Sequence, residues 1–437
     1  MNSTNKKLNF YYSSLNAEGE SVYKCLIDKS STIKTLNSLD YRNTRNYRMG
    51  ASYTECDTDL FKFRNDLKRM NEDILSKSYF SKISKTWFGV NVFNYNTLNE
   101  SVLNTVLINC DQKKLKDVPK IQFKEFCLFE NCLSAGLMTI DRDIIEKPMK
   151  CYGYDYSKFY YNIMKKIQVP ICAPAFQTIT AINFKKLGFG MYRCKVLCNN
   201  KDFMNCFNFN KTHHYTHNTI KTLYLHRELY DISFELLEPN TEYNYNVVQY
   251  AKTIELKVLL SEWFSIMDDL IKRCSGWLSK SYVSQAWGNI CKFKKIRIGQ
   301  ESDLEEYDWD HLSNITYNNK YEHYKFRFEN GKHIILNSDN AYNHVLARMK
   351  PFLTEYARLY IFNFISDYGL ASDVIRIQTD GIVFKTKYDF SEITYAPIAE
   401  DKTTGNIKFY NLNSYFHVCK RCKAEYKFYK GMTHECN

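Results

Sequence analysis

The stretch that decides the fold runs Ser372-Asp373-Val374-Ile375-Arg376-Ile377-Gln378-Thr379-Asp380-Gly381-Ile382-Val383-Phe384-Lys385. Apolar residues alternate or cluster on both sides of Thr379-Asp380-Gly381, and this pattern predicts two short strands joined by a tight turn. Asp380 falls at the tip of the predicted turn. We therefore expect a hairpin that displays a carboxylate and does not bury it.

A long amphipathic helix is predicted immediately upstream, over residues 342–368. Its apolar residues recur at helical spacing, and they are Val345, Leu346, Met349, Leu353, Tyr356, Ala357, Tyr360, Ile361 and Phe364. The predicted order is therefore helix, strand, acidic turn and strand.

Two further motifs precede this hairpin. The first is Tyr154-Asp155-Tyr156-Ser157-Lys158-Phe159-Tyr160-Tyr161-Asn162-Ile163-Met164, which continues through Lys165-Lys166 to Pro170. It predicts a strand that ends in an aspartate, then a short polar pair and the start of a helix. The second is Lys280-Ser281-Tyr282-Val283-Ser284-Gln285-Ala286-Trp287-Gly288, which falls in a helical pattern.

Two antiparallel helices are predicted around the second motif. Residues 254–274 carry one apolar face, Ser275-Gly276 breaks the pattern, and residues 277–293 resume it. Lys272 and Arg273 end the first helix and Lys280 starts the second, so positive charge gathers at one end of the pair. These cations either bind a triphosphate or satisfy a helix C-terminus.

In this order the three motifs resemble those of family B DNA polymerases, in particular the viral and linear-plasmid members that use protein primers. The third motif of that family is an Asp-Thr-Asp-Ser hairpin behind a helix with Tyr-Ala-Arg, which here reads Tyr356-Ala357-Arg358. The resemblance covers about residues 125–410. It implies an α+β right-hand polymerase with palm, fingers, a small thumb and an antiparallel palm sheet.

The chain departs from the family pattern at four positions. Gln378 replaces the first acidic residue of the third motif, Ser284-Gln285 replaces an Asn-Ser pair, and Tyr161 replaces a proline. The aspartate that the family cannot spare is retained as Asp380. The resemblance therefore still implies activity, with reduced rate or fidelity as an alternative outcome.

The implied reaction is an in-line phosphoryl transfer to a primer 3′-hydroxyl, in which two Mg²⁺ (or Mn²⁺) ions about 3.5–4 Å apart neutralise developing charge. Such hard cations need oxygen ligands from separate strands brought side by side. Asp155 and Asp380 are therefore the expected catalytic ligands. A buried structural aspartate is the alternative for either position.

The resemblance also implies nucleotide and DNA contacts. Tyr160 matches the tyrosine that excludes a ribose 2′-hydroxyl, with an ordinary core tyrosine as the alternative. The other nucleotide-binding candidates are Lys272, Arg273, Lys280, Trp287 and Gly288, and the DNA-binding candidates are Thr379, Gly381, Lys408 and Tyr410. Lys408-Phe409-Tyr410 is similar to a Lys-x-Tyr motif that contacts the primer strand, and a tripeptide this short also arises by chance.

Other segments carry weaker signals. Residues 190–196, 223–226 and 230–235 are predicted palm strands, and residues 60–77 a helix. Ser134-Ala135-Gly136 occupies the place of a template-contacting loop in protein-primed relatives. No exonuclease motif can be placed before residue 120, and Asp57-Thr58-Asp59 is interpreted as a helix N-cap.

The predicted organisation has five segments. Residues 1–120 have no assigned role, 121–250 form the first part of the palm, 251–300 the fingers, 301–400 the second part of the palm, and 401–437 a thumb-like end. In this last segment Cys419-x-x-Cys422 and His434-x-Cys436 are separated by eleven residues. Two close pairs of such ligands predict a structural Zn²⁺ clip, with His417 as a spare ligand and chance pairing as the alternative.

Composition is consistent with these expectations. The chain has 437 residues, of which 44% are apolar and 16% aromatic, enough for folded subdomains. Its formal charge of +12 suits a polyanionic partner, although a basic soluble surface would give the same value. No signal peptide or membrane-length apolar run is evident, and the 15 scattered cysteines fit an intracellular protein with reduced thiols.

Together these features predict a template-directed DNA polymerase that replicates the DNA of a virus or mobile element, in a host cytoplasm or at a viral replication site. Its expected partners are primer-template DNA, dNTPs, replication factors and a primer source such as a terminal protein, without a membrane partner. The alternative is a degraded palm that binds nucleic acid as an accessory factor. A primase or RNA-making enzyme is disfavoured by Tyr160.

Overall fold

The computed structural model describes residues 9–15, 21–27, 33–36, 98–132, 136–241, 243–273, 277–292, 295–300, 324–329, 332–337, 342, 344–394, 396–419 and 421–426. The chain separates into two compact units, which comprise Met1–Asp117 with Leu256–Lys292 and Val118–Glu255 with Phe293–Asn437. The predicted helix 60–77 and the predicted cap at residues 57–59 lie outside the described residues. The five-segment division remains a prediction.

The described α-helices, in chain order, are α1 (Leu98–Ile108), α2 (Gln112–Leu115), α3 (Phe123–Asn131), α4 (Phe159–Met164), α5 (Lys201–Cys206), α6 (His217–Leu225), α7 (Arg227–Tyr230), α8 (Leu256–Leu259), α9 (Ser261–Arg273), α10 (Trp277–Ile290) and α11 (Met349–Asp367). Short 3₁₀ turns occupy Arg142–Ile144, Val345–Arg348 and Ala371–Asp373. Among the described residues, no helix is both long and apolar enough to cross a bilayer.

The described strands are β1 (Asn9–Leu15), β2 (Ser21–Ile27), β3 (Ile33–Leu36), β4 (Leu137–Ile140), β5 (Met149–Asp155), β6 (Gln168–Pro170), β7 (Ala175–Gln177), β8 (Gly190–Leu197), β9 (His214–Thr216), β10 (Ser233–Leu236), β11 (Val247–Gln249), β12 (Thr253–Glu255), β13 (Lys295–Gln300), β14 (Tyr324–Glu329), β15 (Lys332–Asn337), β16 (Val374–Thr379), β17 (Gly381–Phe384), β18 (Ile398–Asn411), β19 (Ser414–Val418) and β20 (Glu425–Tyr426).

In the first unit, the predicted helical pair is confirmed as α9 and α10. Helix α10 packs against α1 and α9, and its buried residues include Tyr282, Val283, Ala286 and Ile290. The first helix of the pair was predicted to start at residue 254. Residues 254 and 255 belong instead to β12, Leu256–Leu259 form the separate short helix α8, and α9 begins at Ser261. Strands β1, β2 and β3 form a separate antiparallel sheet.

The second unit contains the central sheet, whose described strands lie in the order β20-β19-β18-β5-β17-β16-β4. Every neighbouring pair in it is antiparallel. This mixed helix and sheet architecture, with an antiparallel sheet, confirms the predicted α+β class. The hairpin prediction is also confirmed, because β16 and β17 pair with Gln378 opposite Gly381.

Two of the predicted palm strands are corrected. Residues 223–225 are helical, because the Thr216 side chain accepts a hydrogen bond from the Thr219 amide and caps α6, whose buried residues Thr219, Ile220 and Leu223 follow a helical period. Residues 227–230 form α7, so that the strand predicted over 230–235 begins only at Ser233.

The remaining predicted strand, residues 190–196, is confirmed as a strand, β8. This strand and β10 belong, however, to a smaller sheet ordered β10-β8-β11-β7, with β9 also paired to β8. They are therefore separate from the central sheet that contains β5, β16 and β17.

Helix α11 was predicted to be amphipathic from residue 342, and the structure corrects both points. A 3₁₀ turn precedes it, and the helix is buried on nearly all sides, including Lys350, Thr354, Glu355 and Arg358. Three of these side chains have hydrogen-bond partners: the Thr354 hydroxyl donates to the Lys350 carbonyl at 2.9 Å, Glu355 Oε2 accepts from the Thr216 amide, and Arg358 donates to the Gly136 carbonyl. These hydrogen bonds offset much of the cost of burying polar groups on this side of the helix.

A buried ion pair anchors the start of α11. Arg348 donates from Nε to Glu125 Oε1 at 2.7 Å and from Nη2 to Oε2 at 2.8 Å. The Tyr250 hydroxyl donates to the same carboxylate at 2.9 Å. Burial nevertheless raises the pKa of Glu125, against the opposing effect of Arg348. Losing one partner would leave a buried uncompensated charge, which costs about 3–5 kcal/mol.

Candidate active site

Asp155 and Asp380 lie at neighbouring positions of the central sheet. Asp155 ends β5 and pairs with Gly381, the residue that follows Asp380. The Tyr156 amide donates to the Asp380 carbonyl at 3.0 Å. Asp155 Oδ1 lies 3.8 Å from the position that a Cβ on Gly381 would take. Both aspartates are half-buried. The strand register and the hydrogen bond from Tyr156 bring together the two residues that the sequence predicts as ligands.

The acidic turn has a tight backbone conformation. Thr379 has a φ of 62°, and the Asp380 amide donates to the Gln378 carbonyl at 2.8 Å, which closes a three-residue turn. A left-handed φ is unfavourable for a β-branched residue, so packing must hold it. Gly136 provides close packing, since a Cβ there would lie 2.9 Å from Thr379 Cα.

Tyr160 is positioned by the turn between β5 and α4. Ser157 and Lys158 are exposed and Lys158 has a φ of 52°, so the chain reverses before α4 begins. Tyr160 is half-buried. Burial and the Asp380 carboxylate raise the pKa of Tyr160 to about 12, while Arg358 has the opposite effect. The phenol is therefore neutral and lies within electrostatic reach of Asp380.

Arg358 binds the backbone next to the acidic turn, where Gly136 packs against Thr379. Its Nη1 donates to the Gly136 carbonyl at 2.9 Å and its Nη2 to the Asn208 carbonyl at 3.3 Å. Glu355, one turn earlier on α11, accepts from the Thr216 amide at 2.7 Å, and burial raises the pKa of Glu355. Arg358 is recognisable in the sequence only as part of a motif, and no local pattern points to Glu355.

The replacement at Gln378 has a structural explanation. Gln378 Oε1 accepts a hydrogen bond from the Arg376 guanidinium, and Nε2 donates to Asn413 Oδ1 at 3.0 Å. Arg376 is itself buried and donates to the Leu412 carbonyl at 2.6 Å. An amide at position 378 thus joins the acidic hairpin to the turn after β18. Neither Arg376 nor Asn413 was identified as a partner from the sequence.

Lys408 and Tyr410 lie two residues apart on β18, where the pairing with β19 shifts register between Phe409 and Asn411. Both contact the carboxylate of Glu425 on β20. Thr379 and Gly381, the other DNA-binding candidates, flank Asp380 on the central sheet. The structure therefore brings Thr379 and Gly381 to the carboxylates and gives Lys408 and Tyr410 a partner that the sequence did not suggest.

The remaining nucleotide-binding candidates belong to the first unit. Lys272 is exposed near the end of α9, and Arg273 ends that helix. On α10, Trp287 is half-buried and Gly288 exposed. Lys280 lies in the first turns of α10; its side chain and that of Arg273 are outside the described part.

The predicted zinc clip is described only at its first pair. The Cys419 amide donates to the Ala424 carbonyl at 2.9 Å and the Lys423 amide donates to the Cys419 carbonyl at 3.0 Å. Lys423 has a φ of 63°. These bonds fold Cys419 and Cys422 into one tight turn. His417 is buried on β19, whereas His434 and Cys436 lie outside the described residues.

The two carboxylates fit a hard divalent cation. No group of three or more His, Cys, Asp and Glu side chains that could hold a metal occurs in the described ranges. Mg²⁺ commonly binds through one or two carboxylates and completes its shell with water and substrate phosphates. The pair of Asp155 and Asp380 is compatible with that set of donors.

The antiparallel sheet, its acidic turn and the helices of the same unit form a fold that resembles that of a DNA polymerase. The solved structures that share it include three of phi29 DNA polymerase. The first, complexed with primer-template DNA and incoming nucleotide substrates, has a TM-score of 0.53 and 12% identity, and the match covers 97% of this chain and 89% of that one.

The complex of the same polymerase with primer-template DNA alone has a TM-score of 0.52 at 12% identity, over 94% and 87% of the two chains. The complex with single-stranded DNA gives 0.51 at 13% identity, over 98% and 76%. No protein-family model and no curated protein sequence matches the chain. At this level of identity the likeness shows the fold.

Proposed function

We propose that the chain is a template-directed DNA polymerase that adds dNTPs to a primer 3′-hydroxyl and replicates the DNA of a virus or mobile element. The observation that carries the proposal is that Asp155, at the end of one strand, meets the turn that carries Asp380, with a half-buried Tyr160 within electrostatic reach of Asp380. These residues are separated in sequence and come together in a fold shared with phi29 DNA polymerase.

Asp155 and Asp380 would hold two Mg²⁺ or Mn²⁺ ions. When bound, such ions neutralise charge on the attacking, bridging and leaving oxygens of a phosphoryl transfer. The protein's own contribution is to fix both carboxylates. The hydrogen bond from the Tyr156 amide to the Asp380 carbonyl supports this role, because it limits relative movement of the two strand ends.

Tyr160 would select deoxyribose by occupying the space that a 2′-hydroxyl requires. Its half-buried position, within electrostatic reach of Asp380, supports this role. Lys272, Arg273 and Lys280 are proposed to bind the triphosphate, with Trp287 and Gly288 at the base pair. The exposure of Lys272 and Gly288 is compatible with that role.

DNA binding is proposed for Thr379, Gly381, Lys408 and Tyr410. Phi29 DNA polymerase has been solved with primer-template DNA and with single-stranded DNA, which supports DNA as the partner here. A terminal protein or another primer source and replication factors are proposed partners by the resemblance. Cys419, Cys422, His434 and Cys436 are proposed to bind one structural Zn²⁺, and the tight turn at Cys419 supports the first half of that site.

The test is extension of a labelled primer on a DNA template by the full chain, with dNTPs and Mg²⁺ or Mn²⁺. We expect template-dependent products that require the divalent cation. DNA binding without extension under any primed condition would contradict the polymerase and favour an accessory factor. Extension with rNTPs in preference to dNTPs would instead indicate an RNA-making enzyme.

A further inference from the structure

Lys408, Tyr410 and Glu425 form a polar cluster on one face of the central sheet. Lys408 pairs with Phe416 across β18 and β19, and Val418 pairs with Glu425 across β19 and β20. Side chains two residues apart on a strand share a face, so Phe416 and Val418 relate Lys408 to Glu425 on the same side. The three polar side chains can therefore meet across two strand spacings.

Both oxygens of the Glu425 carboxylate are engaged in this cluster. Oε1 accepts from Lys408 Nζ at 2.9 Å, and Oε2 accepts from the Tyr410 hydroxyl at 2.5 Å. Lys408 Nζ also lies 4.7 Å from the centre of the Tyr410 ring. Hydrogen bonds to Tyr410 and Glu425 raise the pKa of Lys408, and hydrogen bonds to Tyr410 and Lys408 lower the pKa of Glu425. The pair is therefore ionised at neutral pH.

The Glu425 carboxylate in this cluster resembles a phosphodiester group of DNA. A carboxylate with two engaged oxygens presents the same pair of anionic acceptors as the non-bridging oxygens of a nucleic-acid phosphate. The Lys408 side chain is 22% exposed and that of Glu425 35% exposed, so solvent and a strand can reach both. Exposed ion pairs of this kind are weak, and exchange of one anion for another costs little.

We propose that Glu425 is a built-in competitor for the primer strand: in the DNA-free protein its carboxylate occupies Lys408 and Tyr410, and a strand phosphate displaces it. The inference rests on the proposed function, in which these two residues bind DNA, and on the similarity of Lys408-Phe409-Tyr410 to a motif that contacts the primer strand. Glu425 then reduces the affinity for DNA, because each binding event must first release the carboxylate into water.

The test is equilibrium binding of a fluorescent primer-template to the full-length wild-type chain and to Glu425→Gln at one fixed salt concentration. Glutamine keeps the size of the side chain and an acceptor for Tyr410, and it removes the charge that holds Lys408. We expect the Kd to fall roughly 1.5- to fivefold, the range that loss of an exposed ion pair allows.

The matched control is Glu235→Gln. Glu235 pairs with Lys195 at 3.1 Å on the smaller sheet, where the Lys195 and Glu235 side chains are 40% and 51% exposed. The substitution removes the same charge from the same kind of pair, so it measures the general effect of net charge on DNA affinity. Lys408→Met and the double variant Lys408→Met/Glu425→Gln complete a cycle, in which the gain from Glu425→Gln should disappear.

Tighter binding by Glu425→Gln than by Glu235→Gln, lost in the Lys408→Met background, supports the competitor. Equal effects of the two glutamine variants, or weaker binding by Glu425→Gln, would overturn it; weaker binding by Lys408→Met would then still support the proposed strand contact. A wild-type chain that fails to bind primer-template would overturn the proposed function and this inference with it. Circular dichroism melting of each variant establishes that it is folded.

Discussion

The Tyr156 amide donates a 3.0 Å hydrogen bond to the carbonyl oxygen of Asp380. The bond joins the residue after Asp155, at the end of β5, to Asp380, at the tip of the β16–β17 turn. In the sheet, Asp155 pairs with Gly381. The backbone segments that carry the two carboxylates are therefore hydrogen-bonded to each other. A change at either should affect the same chemical step.

Asp380→Asn should reduce the rate of single-turnover primer extension by several powers of ten, because a neutral amide cannot balance the charge of the metal ions in the transition state. Asp155→Asn should have a similar effect. The double variant should be little slower than either, because both ligands serve one metal cluster and such effects are not additive.

Asp389→Asn is the matched control for these carboxylate variants. This exposed aspartate accepts a hydrogen bond from the Ser391 amide at 3.0 Å, and its loss should leave the extension rate unchanged. Primer-template affinity should persist in all variants, because phosphate contacts from Lys and Arg carry it. Wild-type extension by Asp380→Asn would exclude this residue as a metal ligand.

The parts of this site that sequence predicts are those with a local pattern. Alternating apolar residues on each side of Asp380 predict the hairpin, and helical spacing predicts most of α9, α10 and α11, because each pattern is complete within a short segment. The strand that ends at Asp155 follows from the same logic. The proximity of Asp155 to Asp380 came from the family resemblance and is confirmed by the sheet register.

The parts that sequence does not predict depend on distant partners. Arg348 and Glu125 are 223 positions apart, and no local pattern relates them. Residues 223–226 contain enough apolar and aromatic side chains to suggest a strand, yet the Thr216 cap starts a helix through them. Glu425 could not be related to Lys408 because strand β20 comprises only two residues.

Tyr160→Ala should raise ribonucleotide incorporation relative to deoxyribonucleotide incorporation. Removal of the ring opens the space for a 2′-hydroxyl, and the half-buried position limits the loss of core packing. The measurement is the ratio of kcat/KM for an rNTP and its matching dNTP. Tyr368→Ala, at an exposed position, is the control. An unchanged ratio in the Tyr160 variant would return this residue to a packing role.

Gly288→Ala should raise the stability of the protein and lower its activity. Among the described residues, nothing lies within 4 Å of a Cβ at this exposed helical position, so alanine should stabilise α10 by about 0.5–1 kcal/mol through its higher helix propensity. If Gly288 lies against a nascent base pair, the same methyl group should lower kcat/KM for dNTPs. Urea unfolding and steady-state extension measure the two effects. Higher stability with unchanged kinetics would remove Gly288 from the nucleotide site.

Metal analysis of the purified chain should find about one zinc per chain, bound by the predicted Cys419, Cys422, His434 and Cys436 clip. Cys419→Ser should lose the zinc and lower the melting temperature, while primer extension below that temperature persists, because the clip is structural. Cys172→Ser, at a half-buried cysteine elsewhere, should retain the metal. A fully active wild-type chain without zinc would eliminate the site.

Gly136→Ala should disturb the acidic turn through its contact with Thr379. The added methyl group would lie 2.9 Å from both Cα and Cγ2 of Thr379, closer than packed atoms allow, so the turn or the Gly136 segment must shift. We expect a loss of about 1–3 kcal/mol in unfolding free energy, the usual cost of an overpacked site. The extension rate should fall as well, because Asp380 follows Thr379 directly.

Thr379→Gly provides the matched compensation for the Gly136 variant. Glycine removes the Cγ2 and Oγ1 contacts and also accepts the φ of 62° without strain. In the Gly136→Ala background it should therefore recover part of the lost stability and part of the extension rate. If Gly136→Ala acted only through general unfolding, and not through its contact with Thr379, Thr379→Gly would have the same effect in both backgrounds. Urea unfolding and single-turnover extension of the two single variants and the double variant supply both readouts. Wild-type behaviour of Gly136→Ala would show that the turn tolerates displacement, and the close approach of Gly136 to Thr379 would then have no part in holding Asp380 beside Asp155.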